Sequence, residues 1–315
     1  MTVSLTRMAK LGRNLTNFRR NAGWQLGLGA SLFKKARGSR IVLYHGVCQR
    51  DPFRFSTLFV TNKTLEEHIK LYKQYFNVIS LEDYYLGRTD PDRMNICLSF
   101  DDGFANNYQY VLPLLEKYRV PASFFITGIR DAGDDILWND FIRMAAKEGY
   151  LSDPDRKELV STLRLKGFEV KAAAMRALEL AGFNKQSIET EHWLQMTEEE
   201  IKNLSASPWA TIGSHGYYHN DLAKIPAHHA ADEMERSKKF LERVTGKNIN
   251  AFAFPYGTFT TEVLALAKEK GFTRILGTDL PQGINEDKVL KARLTINPFI
   301  SPVNQMYANI AGHYG

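Results

Sequence analysis

From residue 40 onward, short runs of apolar, β-branched and aromatic residues alternate with longer stretches whose apolar positions recur at helical spacing. Residues 40–44, 77–80, 95–100, 121–127, 209–212, 251–254, 273–276 and 289–296 read as strands. Helices are predicted over 64–75, where Leu65, Ile69, Leu71 and Tyr72 share a face, and over 228–244 and 260–270. A further helix over 104–118 is expected to bend or start late at Pro113. Residues 131–204 are polar and helix-like with no strand signal, and Thr197 and Glu200 have capping-box spacing. This alternation predicts an α/β fold with a parallel sheet and helices outside it. Seven or eight strands point to a distorted, closed or nearly closed (β/α) barrel over residues 40–315, with a helical insertion at about 131–204. An open doubly wound sheet is the alternative. In both, reactive groups gather at the C-terminal ends of strands.

Composition narrows this picture. The 315 residues are 44% hydrophobic and 24% charged, as in an ordinary globular chain. No run reaches the roughly 18 apolar residues that a membrane span needs. The formal net charge of +6 favours anionic partners. Much of it sits in an N-terminal arm, residues 1–39, where Arg7, Lys10, Arg13, Arg19, Arg20, Lys34, Lys35 and Arg37 precede the first acidic residue, Asp51. Residues 22–33 are mildly apolar but carry Gln25, Gly23, Gly27 and Gly29, a poor secretory signal. The arm is expected to be either a peripheral contact with an anionic membrane or a loosely ordered tail. Two cysteines, Cys48 and Cys97, do not make a disulfide framework, and Cys97 falls inside a strand. These features lead to the expectation of a cytoplasmic protein, with the arm at a membrane face. No nucleic-acid motif accompanies the basic residues.

Three strand ends carry unusual chemistry. Asp101, Asp102 and Gly103 follow the strand 95–100; adjacent carboxylates repel, so a cation or an unusual protonation state is expected beside them. The plain alternative is a turn with one aspartate as a helix cap. His215 and His219, four residues apart after strand 209–212, are a candidate metal-ligand pair. Pro255, Tyr256 and Gly257 close strand 251–254 in a turn that presents a tyrosine and its backbone N–H.

In this order the three clusters resemble the polysaccharide deacetylase family (carbohydrate esterase family 4, the NodB-homology domain) over about residues 40–300. Leu43, Tyr44, His45, Gly46 and Val47 resemble the opening strand of one branch of that family. The resemblance implies a divalent metal, zinc first, held by Asp102, His215 and His219, with Asp101 as general base. It also implies oxyanion stabilisation by the metal and the Tyr256 N–H, and a substrate wall from Pro255 and Tyr256. The expected activity is removal of an acetyl group from an N-acetylated sugar in a glycan or glycan precursor. Two features depart from the pattern: Ala253 stands where the family often has a base-orienting arginine, and the late strand has no histidine to act as general acid. His45 is the proposed substitute acid. Arg293, near a late strand end, is assigned to substrate, with orientation of Asp101 or plain ion pairing as alternatives; Asp279 is read in the same way. Trp138, at the start of the insertion, is expected either to stack on a sugar ring or to sit in a local core. His68, His192, His228 and His229 are expected to be solvated. The competing functions are a metal-dependent amidase acting on a non-sugar amide and a carbohydrate-binding relative without turnover.

Overall fold

In the computed structural model the described residues are 2–314, with side chains from residue 14 onward. Seven parallel strands form the frame: β1 (Gly38–Tyr44), β2 (Met94–Phe100), β3 (Ala122–Ile126), β4 (Ala210–Ser214), β5 (Ala251–Ala253), β6 (Arg274–Gly277) and β7 (Leu290–Thr295). Each pairs with the next in sequence and β7 pairs back onto β1, so the sheet closes into a (β/α) barrel. The open-sheet alternative is excluded by that closure. The remaining expected strand, at 77–80, shortens to Asn77–Val78 and lies against the first half of β2, outside the ring.

Side chains alternate between two cores, as strand pleating requires. Val42, Tyr44, Ile96, Leu98, Phe100, Phe124 and Phe252 point outward into the layer between sheet and helices. Ile41, Cys97, Phe125, Ala253 and Leu276 point inward and fill the barrel. Helix Leu81–Tyr85 plugs one end, where the Tyr85 hydroxyl donates to the carbonyls of Ile275 and Val289. The interior is narrow and Phe125 takes much of it: a Cβ added at Gly213 would lie 2.6 Å from the Phe125 ring and 3.2 Å from the Ala251 carbonyl oxygen. Glycine at that position is a packing requirement, independent of any turn.

The outer helices follow local signals. Thr197 and Glu200 form the expected capping box at the start of Glu198–Ala206. The segment before Pro113 is a π-helical turn, Asn107–Val111, and a regular helix resumes at Leu112–Tyr118 with the proline in its first turn, where a missing N–H costs nothing. Between β3 and β4, helices Trp138–Lys147, Asp153–Leu163 and Phe168–Leu180 pack around their own small core of Phe141, Met144, Leu163, Met175 and Trp193.

The basic N-terminal segment contains helix Thr2–Gln25, and the side chains of Arg7, Lys10 and Arg13 lie outside the described residues. The later part docks on helix Pro302–Ala311. Asn304 donates to the Asn17 carbonyl and to Asn21, and Arg20 lies over the Tyr307 ring. Trp24 and Phe33 pack on Tyr75. Among the described residues no helix is long and apolar enough to cross a membrane.

The barrel's dependence on Gly213 is testable. Gly213→Ala is expected to cost about 1–3 kcal/mol through overpacking, seen as a lower thermal midpoint, and Phe125→Leu in the same chain should recover part of it. Unchanged melting of the single variant would show that Phe125 yields without cost.

Candidate active site

The inward alternation carries the reactive side chains to the C-terminal rim. Cys97 faces the barrel interior, so two and four residues on, Ser99 and Asp101 share its direction. The Asp101 amide still bonds the Tyr44 carbonyl of β1 at 3.0 Å, and the His215 amide bonds Ile126 of β3 at 2.9 Å, so both residues extend the ladder rather than ride on loose loops. A cavity of about 340 Å³ opens there, lined among others by His45, Asp101, Asp102, His215, His219, Tyr256 and Arg293.

Asp102, His215 and His219 converge, with one potential ligand atom from each within 4.8 Å of the others, and all three are buried. Asp102 Oδ1 lies 3.2 Å from His219 Nε2 and 3.4 Å from His215 Nε2, yet it lacks a well-directed hydrogen bond. The His215 Nδ1 sits 2.8 Å from the Ala253 carbonyl oxygen. A carbonyl only accepts, so Nδ1 carries the proton and the Nε2 lone pair faces the cluster, as a metal-binding imidazole requires. An orphaned buried carboxylate oxygen and an imidazole oriented from behind make a donor set that fits a divalent cation.

Asp101 has a different partner. Arg293, from β7, clasps it with two parallel bonds of 2.6 and 2.7 Å. The Arg293 side chain is 0% exposed, so the assignment of this residue to substrate is corrected: its fork is spent on Asp101. Arg293 thus reaches Asp101 from β7, while Ala253 offers its carbonyl to His215. Burial pushes the Asp101 carboxyl up, but Arg293 and His215 outweigh it and hold it below the usual carboxylate range. For Asp102, burial is likewise opposed by His215 and His219, which hold it well below that range. Burial drives His45 and His219 down, only partly offset by the two aspartates for His45 and by Asp102 for His219; His215, beside both aspartates, is raised against its burial.

The rim is strained. Of five non-glycine residues with positive φ among the described residues, three are here: Asp102 at 77°, His219 at 54° and Tyr256 at 62°. Such conformations cost of order 1–3 kcal/mol each and persist only when surroundings fix them. A buried network does that for the histidine loop. Glu233 accepts from the amides of Tyr217 and Tyr218 at 3.3 and 3.1 Å and from the Asn220 side chain at 2.5 Å, and Lys171 of the insertion donates to Asn220.

The structure brings Asp101, Asp102, His215, His219, His45, Tyr256 and Arg293 into one cavity. Pro255 is buried in the adjoining turn, and the half-buried Tyr256 ring tilts against His219 with centroids 4.8 Å apart. Trp138 does not join them, and its sugar-stacking role is withdrawn. Its ring is 1% exposed, sits in the insertion core under Lys171, and its Nε1 reaches the His219 carbonyl at 3.5 Å. Asp279 is exposed and does not line the cavity. His68 and His192 are buried rather than solvated; His68 bonds the Tyr44 hydroxyl at 2.9 Å, and burial lowers it to about 3. His228 and His229 are exposed. Sequence reasoning missed Asn139, Arg143 and Arg164, which the insertion adds to the cavity wall. Their only advance signal was the unexplained length of the insertion.

Residues 88–275 match the family model described as polysaccharide deacetylase. Among curated proteins, YxkH of Bacillus subtilis (strain 168) is 22% identical over 267 residues, 83% of this chain and 72% of that one. The peptidoglycan-N-acetylmuramic acid deacetylase PdaA of the same organism is 24% identical over 206 residues, 64% of this chain and 53% of that one. Among solved structures, the Streptococcus pyogenes deacetylase PplD, in complex with acetate, aligns with a TM-score of 0.59 at 18% identity, covering 86% of this chain and 98% of that one; this likeness concerns the fold. With more than half of its length matched by the family model, and with the barrel and its rim arranged as described, the chain belongs to the polysaccharide deacetylase family.

Proposed function

We propose that this protein hydrolyses the acetamido group of an N-acetylated sugar in a glycan or glycan precursor, using a divalent cation held by Asp102, His215 and His219. The observation that carries the reading is the division of labour between neighbouring aspartates: Asp102 faces two imidazoles, while Asp101 is locked by Arg293. Two imidazoles and one carboxylate favour zinc. When bound, the cation would polarise the amide carbonyl and acidify a water molecule.

The chain's own residues supply the rest. Asp101, ionised and fixed by Arg293, accepts the proton of the attacking water. The Tyr256 backbone N–H donates to the carbonyl oxygen as negative charge gathers there, and the Pro255–Tyr256 turn forms the wall against the sugar. Burial holds His45 below the usual imidazole range, so it takes up the proton that Asp101 accepted from water and passes it to the departing nitrogen as the C–N bond breaks. The products are acetate and a free amine. A carbohydrate-binding relative without turnover was motivated by the missing arginine and the missing late histidine; Arg293, clasping Asp101 from another strand, supports a substitute for the first, and His45 is the proposed substitute for the second. Exposed Phe18, Leu26, Leu28 and Leu32 beside Lys34 and Lys35 support the proposal that the N-terminal segment rests on an anionic membrane surface.

Acetate release from acetylated hexosamine oligomers by metal-stripped, then zinc-reloaded, protein tests this reading. Asp101→Asn should lose about a hundredfold or more in kcat while still binding zinc; release that survives this substitution would overturn the assignment of the base. His45→Ala should reduce turnover while leaving zinc stoichiometry intact, and full turnover would remove His45 from the mechanism. In Arg293→Gln the force holding the Asp101 carboxyl down is lost, so its pKa rises and the acid limb of kcat/KM moves to higher pH. An unmoved limb with lower activity would mean that Arg293 serves only packing.

A further inference from the structure

The insertion gives the catalytic mouth a charge that deacetylation of a neutral sugar does not need. Two further cavities, of about 480 and 450 Å³, adjoin the catalytic one. The catalytic cavity shares Arg143 and Leu58 with the first and Arg164 with the second, and those two share Arg156, so the three lie side by side around the catalytic mouth. Its walls carry Arg143, Lys147, Arg156, Lys157, Arg164 and Lys224. Apart from Asp101 and Asp102, Asp153 is the only acidic side chain among the described residues lining it. All but Lys224 of the six cations come from the insertion.

Three of these cations are ion-paired: Arg156 bonds the exposed Asp153 at 3.4 Å, and the other two are held from behind. Arg143 bonds Asp140 at 2.9 Å and Arg164 bonds Asp221 at 2.7 Å, and these carboxylates are 8% and 0% exposed against 29% and 39% for the arginines. The acids therefore lie behind and the forks face the opening. A guanidinium anchored in this way loses little conformational freedom on meeting an oxyanion and still has N–H groups to offer. Lys147, Lys157 and Lys224 are exposed and add net positive charge at the rim. At the outer edge of the first cavity Phe53 stacks on Phe299 at 4.6 Å, with 41% and 64% of the two residues exposed, which gives a sugar ring an apolar face to rest on.

We propose that the insertion is a specificity element that selects an acetamido glycan bearing an anionic group, a carboxylate or a phosphate, beside the sugar to be deacetylated. This deepens the deacetylase reading and rests on it. The anionic group meets the Arg143–Arg156–Arg164 side of the mouth, while the acetamido group reaches Asp101.

The test measures binding and turnover separately. Matched acetamido oligosaccharides, neutral, uronate-bearing and phosphate-bearing, are titrated into the Asp101→Asn protein at low and high salt. The same compounds are given to the wild type, zinc-loaded, for acetate release. At least one anionic member should bind about tenfold more tightly than the neutral one at low salt, and the advantage should shrink at high salt. Which member gains identifies the anion. In Lys147→Gln/Arg156→Gln/Lys157→Gln, substitutions at the rim rather than in a core, the anionic preference should collapse. Phe53→Ala should weaken neutral and anionic members alike. Equal binding of neutral and anionic members, or a preference that survives the triple substitution, would overturn the proposal. Anionic preference in binding with no acetate released from any compound would leave the selectivity standing and sink the deacetylase reading instead.

Discussion

Two adjacent carboxylates, Asp101 and Asp102, are buried at the top of a closed barrel, and the surrounding structure is organised by the need to compensate them. A buried ion without a partner costs several kcal/mol even after relaxation. The backbone turns sharply between the two, since Asp102 is in the left-handed region, and this sends their side chains to different partners. Asp101 receives a whole guanidinium from β7; Asp102 receives two imidazoles from the loop after β4 and a place for a cation. Neighbours in sequence thus become chemically distinct because their environments differ, which is the basis of the proposed roles of base and ligand.

That separation has structural costs that are met nearby. The left-handed His219 is held by the Glu233–Asn220–Lys171 network, and Lys171 belongs to the insertion. The insertion also packs Trp138 beneath the His219 carbonyl and lays Arg164 over the Tyr256 ring at 4.5 Å. It therefore does more than decorate the barrel: it stiffens the loop that carries His215 and His219 and lines the entrance with cations. Loss of its core would be felt at the Asp102–His215–His219 cluster before it was felt in the barrel, whose interior is independently filled by Phe125, Leu276 and Ile41.

Much of the architecture was legible because its signals are local. A buried parallel strand needs a short apolar run, and the runs at 95–100 and 121–127 mark β2 and β3 to within a residue or so. Thr197 and Glu200 announce a helix start because both bonds of a capping box close within one turn. The weaker expectations failed where burial overrode local polarity. His68 lies on a helix whose other residues are largely polar, yet its own face turns to Tyr44, and Trp138 is placed by the insertion core rather than by any feature of its neighbours in sequence.

The chain by itself determined the alternation of strands and helices and the strand ends that carry chemistry, because periodicity acts over a few residues; the grouping of Asp101, Asp102, His215 and His219 came through the family resemblance, and closure of the sheet into a barrel came from the tertiary structure. Tertiary structure alone decided the partner of Asp101. Arg293 lies 192 residues away and became its clasp when β7 closed against β1, which in turn lies beside β2. The same holds for Lys171, Arg143 and Arg164, which reach the site only once the insertion folds back over the rim. An ion pair or a cavity wall depends on distance in space, and across such separations the sequence carries no local trace of it.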